Sequence, residues 1–304
     1  MLTATEYLYG IHLPNNNLIA ELTDCTPAAN VQTLIAKAAG DTLPSFVGGQ
    51  GLTPAISFRS PQLKTILDAC GLWGYDMSGG NCDLHYRSAT NLSTRGTTGT
   101  RIRALRALLY WTTLSVRQGG QAEISCNIQP TFDGTNAPLV AAGPVSVPTA
   151  VLAQEYFTLG PVYVNGSQLG GVEDLNLDLG VKMNIKAADG ETYPSWCGID
   201  EHMPVLTITA PKLSLWPTFT PEGTALSALT FGLRKKKIDS AANVPNATAE
   251  HILFTATGGG AIFLDPASGG VTDPANAVIK IHLRRSGFVS GHCLSVSTAS
   301  TLSA

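Results

Sequence analysis

Residues 38–63 read AAGDTLPSFVGGQGLTPAISFRSPQL, and residues 188–213 read ADGETYPSWCGIDEHMPVLTITAPKL. The two stretches align without a gap. Ala38 and Ala188, Gly40 and Gly190, Thr42 and Thr192, Pro44 and Pro194, and Ser45 and Ser195 all stand 150 residues apart. So do Gly48 and Gly198, Pro54 and Pro204, Pro61 and Pro211, and Leu63 and Leu213. Glycine and proline dominate the matches because each fixes a backbone shape that other residues replace only at a cost. A retained skeleton of turn residues with drifting side chains marks a repeated unit.

The same spacing continues outward. Gly10 pairs with Gly160, Asp24 with Asp174, and Gly119-Gly120 with Gly269-Gly270. The joint falls in GPVSVPTA, residues 143–150, so two domains are expected, 1–148 and 149–304. A chain of 304 residues has room for a core in each.

Composition narrows the function classes. Charged residues make up 13% of the chain, about half the usual ~25%. So small a polar share implies that partners cover much of the outside. Nineteen Lys and Arg against 22 Asp and Glu leave a net charge of −3, which gives no global basic field to grip nucleic acid. The six cysteines, at 25, 70, 82, 126, 197 and 293, form no CxxC pair and read as reduced thiols of a protein assembled in a cytoplasm. No run reaches the ~18 apolar residues that span a bilayer, so membrane insertion is not expected.

Local patterns are mainly β. A turn is expected at Asn15-Asn16-Asn17, and a hairpin from Val162 through Asn165-Gly166 to the alternating Leu175, Leu177 and Leu179. Residues 26–53 and 176–203 are Gly-rich and too long for tight turns, which predicts a long hairpin arm in each copy. After a strand at Ala55–Phe58, Ser60-Pro61 opens a helix of about three turns, with Leu63, Ile66, Leu67 and Cys70 on one face and Gly71 at its end. In the second copy the helix start shifts to Thr220-Pro221, with Ala225, Leu226 and Leu229 inside. Residues 74–100 read as a surface loop. Arg101–Trp111 reads as strand, by analogy with His251–Thr257. Each copy closes on a strictly alternating strand, Ala122–Gln129 and Ile279–Arg284. The expected architecture is mainly β with minor α: two tandem homologous barrels or sandwiches, each with one flanking helix and one arm.

Catalytic and metal patterns are sparse. Cys82 and His85 form a CxxH, Glu201 and His202 are adjacent, and so are His292 and Cys293, yet none has the second half that a zinc site needs. No GxSxG, phosphate loop or dinucleotide fingerprint is present, so no enzyme, cofactor or metal is expected. The basic run Arg234–Lys237 lacks interleaved aromatics and reads as a solvated loop. Asp174, Asn176 and Asp178 read either as a plain outward face or as the lining of a channel.

In texture, VYVNGSQLGGVEDLNLDLG (162–180) and LSVRQGGQAEISCNIQPTFDGTNAPL (114–139) resemble the tail tube, or major tail, proteins of long-tailed bacteriophages. The resemblance implies six barrels to a ring, rings stacked into a tube, and DNA passing through the lumen without specific binding. A duplicated chain would then need three copies per ring, a homotrimer with pseudo-sixfold symmetry. It also implies a place in the virion tail and contacts with tape measure, sheath or tail-tip proteins. The arms would stack rings through Ala38, Gly40, Thr42, Pro44, Phe46 and Gly48, and through Ala188, Gly190, Thr192, Pro194, Trp196 and Gly198. Asp174 and Asp178 would face the lumen. The rival expectation is a trimeric receptor- or carbohydrate-binding protein, or a capsid decoration protein, of a virion.

Overall fold

The computed structural model describes residues 5–36, 39, 43–44, 46–89, 95–149, 155–210, 219–256, 258–268, 276–285 and 292–303. The first half carries β1 (Thr5–His12), β2 (Leu18–Ile19), β3 (Asp24–Ala28), β4 (Val31–Ala36), β5 (Phe46–Leu52), β6 (Ala55–Ser60) and α1 (Leu63–Cys70). It continues with β7 (Tyr75–Asp76), β8 (Cys82–Ala89), β9 (Arg95–Ala104), β10 (Ala107–Arg117), β11 (Glu123–Pro130) and β12 (Leu139–Ser146). The second half carries β13 (Phe157–Val164), β14 (Ser167–Gln168), β15 (Asp174–Asp178), β16 (Lys182–Lys186), β17 (Trp196–Glu201) and β18 (Val205–Ala210). Its remaining strands are β19 (Thr224–Leu226), β20 (Leu229–Lys235), β21 (His251–Ala256), β22 (Gly260–Ser268), β23 (Asn276–Leu283) and β24 (Leu294–Ser300). The protein is mainly β.

One five-stranded sheet runs β12-β9-β8-β1-β2 and another runs β24-β21-β20-β13-β14. A ten-stranded sheet passes through both halves in the order β19-β22-β23-β18-β15-β10-β11-β6-β3, with β7 also on β10. Strand order in the two halves therefore corresponds throughout: β3-β6-β11-β10-β7 on one side, β15-β18-β23-β22-β19 on the other. Irregularities correspond too. β1 bulges at Leu8/Gly10 and β13 at Leu159/Val162, around the glycines Gly10 and Gly160. The bond Thr23 N to Arg59 O (3.0 Å) recurs as Glu173 N to Thr209 O (2.9 Å).

Alternation explains the layers. In β15 Leu175 and Leu177 are fully buried while Asn176 and Asp178 are exposed, and β6, β11, β18 and β23 alternate the same way. The inner faces of the ten-stranded and both five-stranded sheets feed one core, which holds Ile11, Leu84, Ile56, Leu114, Phe231 and Ile281. Each fully buried Leu, Ile or Phe contributes about 1.5–3 kcal/mol by leaving water. Among the described residues the layers stay open: the five-stranded sheets end at β12 and β2, and at β24 and β14, and no barrel closes.

The α1 helix buries Leu63, Ile66, Leu67 and Cys70, the face its spacing predicts, and stops at Gly71, whose φ of 53° suits glycine. It is shorter than three turns and starts later than expected, with Gln62 as N-cap. Its first turn is met from the other half of the chain: Glu155 accepts Lys64 N–H at 2.8 Å and Thr65 Oγ1–H at 2.9 Å. Trp111 fixes the far end, donating Nε1–H to Gly71 O at 2.7 Å.

Five expectations fail on packing. The helix placed at Thr220-Pro221 is absent: Ala225 and Leu226 lie on β19 and Leu229 opens β20, because Leu226 and Leu229 are buried on sheet faces. The stretch expected to align with α1 includes residues 211–218, which lie outside the described residues. The surface loop at 74–100 is largely strand, since β8 buries Cys82 and Leu84 and the polar β9 sits between β8 and β12. Gly99 is required there, because a Cβ would lie 1.8 Å from Tyr86 O. Arg101–Trp111 is two strands joined at Leu105-Arg106. The strand with Leu175 and Leu177 does not complete a hairpin with Val162–Val164. That hairpin closes on β14 instead, with Asn165 and Gly166 at φ 51° and 80°. Finally, β11 and β23 do not close their halves, since β12 and β24 follow.

Candidate functional site

The two long hairpins are built alike. In β4–β5, Ile35 faces Val47 and Ala36 faces Phe46; in β16–β17, Ile185 faces Cys197 and Lys186 faces Trp196. Both ladders slip at one place, Gln32/Thr33 in the first and Lys182/Met183 in the second. Register and bulge thus coincide at the 150-residue spacing.

Their surroundings differ. The second hairpin lies along the first half of the chain. Phe132 N–H donates to Pro194 O at 2.7 Å, and Leu52 N–H donates to Thr192 O at 3.1 Å. The rings of Phe132 and Tyr193 are 5.9 Å apart, and the Cys197 thiol reaches Gln129 O at 3.8 Å. Burial, with Asp76 nearby, pushes the Cys197 thiol up to about 11, so it stays protonated near neutral pH. The first hairpin is less covered: Val31, Leu43 and Val47 are 55%, 72% and 66% exposed, while Leu52 at its base meets the second hairpin. Their counterparts Val181, Tyr193 and Cys197 are half-buried.

Of the expected arm residues, Ala38, Gly40 and Thr42 lie outside the described residues. Pro44 is exposed, and Phe46 and Gly48 are on β5. Ala188, Gly190 and Thr192 are exposed near the tip of the second hairpin, Pro194 is buried, and Trp196 and Gly198 lie on β17. Trp196, 49% exposed, and Trp73, 57% exposed, border one concavity of about 260 Å³ together with Asp76 and Arg106.

The halves meet at β10 and β15, where Thr113 pairs with Asp178, Leu114 with Leu177, Ser115 with Asn176, Val116 with Leu175 and Arg117 with Asp174. Asp174 accepts from Arg117 Nε at 2.9 Å, and Asp178 is exposed beside it on the outer face of the ten-stranded sheet. That face also carries Asp24, Arg59, Glu123, Asp265 and Lys280, diluted by Ser57, Ser125, Asn127, Thr207 and Thr209. The expected solvated loop Arg234–Lys237 is half strand: Arg234 and Lys235 end β20, and Lys235 pairs with Glu250 at 2.7 Å.

The structure brings together two histidines 90 positions apart. Leu294 N–H donates to His292 Nδ1 at 3.1 Å, so His292 Nε2 carries the proton and donates to His202 Nδ1 at 3.1 Å. Trp73, from the first half, sets its ring 5.1 Å from His292 and 5.4 Å from His202. Burial, then the neighbouring His202, pulls His292 down to about 4, and burial also lowers His202. Nothing in the local sequence signals this contact, since it depends on the segment just after β17 meeting the segment just before β24. Cys82 and His85 do not converge, because residues three apart on a strand point to opposite faces. Among the described residues no three metal-ligating side chains cluster, and no helix is long and apolar enough to cross a membrane.

No protein-family model matches the chain, and no curated protein matches it in sequence.

Proposed function

We propose that this chain is a structural protein that assembles head to tail into rings of the tail-tube kind, three chains supplying six near-equivalent units. Stacked rings then form the conduit of a virion tail, through which double-stranded DNA passes. The observation that carries the reading is the ten-stranded sheet. It crosses from one half to the other through β10 and β15 and ends at β3 on one side and at β22 with β19 on the other. The two ends correspond to the two strands already joined in the middle, so the same joint can repeat between chains. Unpaired edges that endanger a monomer become joining surfaces in such an array.

Electrostatics fit the conduit. On the outer face of the sheet, Asp24, Glu123, Asp174, Asp178 and Asp265 outnumber Arg59, Arg117 and Lys280. A lining of this kind lets a phosphate backbone slide, because binding would need clustered cations. Tandem duplication of one unit accounts for the common strand order, and tape measure, sheath and tail-tip proteins are the partners that such a tube requires. Negative-stain microscopy of the purified chain tests the reading. Rings or hollow tubes with sixfold appearance are expected, and a chain that stays monomeric up to high concentration overturns it.

One observation favours a second reading, a carbohydrate-binding virion protein: Trp73 and Trp196 border one concavity beside Asp76 and Arg106. Sugar faces stack on such rings. Glycan-array binding that disappears with Trp196→Ala, from particles that never polymerise, would establish it instead.

A further inference from the structure

We propose that hairpin β4–β5 is a clasp that seats on the second half of another copy of this chain, as β16–β17 seats on the first half of its own. The proposal rests on the head-to-tail reading and adds to it where the exposed hairpin goes: sideways within a ring.

Register identifies the receiving surface. Ile128 pairs with Ile56, and Ile281 pairs with Leu206, the residue 150 positions after Ile56. Ile128 and Ile281 therefore hold the same place, which sets Gln129 against His282, Thr131 against Arg284 and Phe132 against Arg285. In the first half, beside β16–β17, Gln129 and Thr131 are buried and Phe132 is half-buried. In the second half His282, Arg284 and Arg285 are all exposed. The surface is present in both halves and covered in one.

The hairpins tell the same story from the other side. Val31, Leu43 and Val47 are exposed, whereas the matching Val181, Tyr193 and Cys197 are half-buried. The edge strands agree as well. Cys25 and Pro27 on β3 are half-buried, whereas Leu175 and Leu177 at the same places on β15 are fully buried. At the opposite edge, no strand pairs with the outer side of β22 beyond Ile262 among the described residues, whereas β10 takes β15 there through residues 113–117. Among the described residues, an unfilled donor and an unfilled acceptor of the same joint lie at opposite ends of one sheet, and the occupant proposed for each is a second copy. In the joint, Pro44 O accepts the backbone N–H of Arg285 of the partner subunit, as Pro194 O accepts that of Phe132. Val47 lies over the partner subunit's His282, as Cys197 lies over Gln129.

Disulfide trapping tests this in the full-length chain. Val47→Cys and His282→Cys are made singly, and the two single variants are mixed, allowed to assemble and oxidised. The mixture is expected to yield a cross-linked dimer at least tenfold above either variant alone, which controls for the native cysteines. A double variant is expected to yield a ladder. Rings that assemble normally but give no cross-link overturn the clasp and leave the ring reading standing; a wild-type chain that never assembles overturns both. A second variant, Val47→Asp, places its charge on an exposed site, so the monomer should melt as wild type does. At least a tenfold higher concentration for ring formation is expected. Intact rings that merely fail to stack would make the hairpin a contact between rings and end the proposal.

Discussion

Hairpins β4–β5 and β16–β17 share register, bulge and spacing, yet the first exposes Val31, Leu43 and Val47 while the second lies against the first half of the chain. The same holds for β3 and β15: one is an edge, the other the middle of a ten-stranded sheet. Local sequence sets what each element is, and position in the sheet sets what covers it. In the proposed ring, Cys25, Pro27, Val31 and Val47 serve the contacts that Leu175, Leu177, Val181 and Cys197 already make.

The sharpest way to break this comparison is to charge both members of a matched pair. Leu177→Asp buries a carboxylate at the joint and is expected to cost at least 4 kcal/mol, enough to unfold much of the chain. Pro27→Asp, at the matching place, should stay within about 1 kcal/mol in the isolated chain. Urea denaturation below the assembly concentration separates the two. Equal losses would mean that β3 is already covered.

A smaller effect is expected where the second hairpin rests on the first half. Phe132→Ala removes the ring against Tyr193 and should cost about 1–2 kcal/mol, less than the 3–5 of a fully buried Phe because part of the ring is already in water. Limited proteolysis should then cut β16–β17 faster. Arg285→Ala, at the matching exposed place, should leave monomer stability within about 0.5 kcal/mol and weaken only assembly.

Acidity probes the Trp73–His202–His292 contact, which has no matched partner. His292 is held neutral in the folded chain down to about 4, against an ordinary value of 6.5. The unfolded chain therefore binds more protons between these values, and stability should rise with pH across that window and level off above it. His292→Asn should flatten that slope in thermal melts taken from pH 4 to 7. Smallest of all, Arg117→Ala breaks the Asp174 ion pair across the halves. With Arg117 largely in water, the loss should stay below about 1 kcal/mol and shrink further in high salt.

Legibility in the sequence followed the physical source of each signal. The hairpins, the alternating strands β11 and β23 and the helix face of Leu63, Ile66, Leu67 and Cys70 were readable, because backbone punctuation and apolar periodicity are local. β9 was not: its RGTTGTRIRA is polar, and it is held as a strand by backbone ladders to β8 and β12 rather than by an apolar stripe, while Gly99 serves the close approach of Tyr86 rather than a turn. The false helix at Thr220-Pro221 came from spacing that fits either a helix stripe or two short strands. Which half covers which hairpin, and the meeting of His202 with His292, depend on contacts across some 60 to 90 residues, for which a single sequence carries no mark.

The ladder between β10 and β15 also has a kinetic meaning. Both strands belong to one polypeptide, so this junction closes as a unimolecular event at any dilution, with an effective molarity on the order of millimolar for a short tether. In the proposed ring, a chain thus leaves folding with half of its joints already made, and only the remaining half must wait for diffusion to deliver a neighbour.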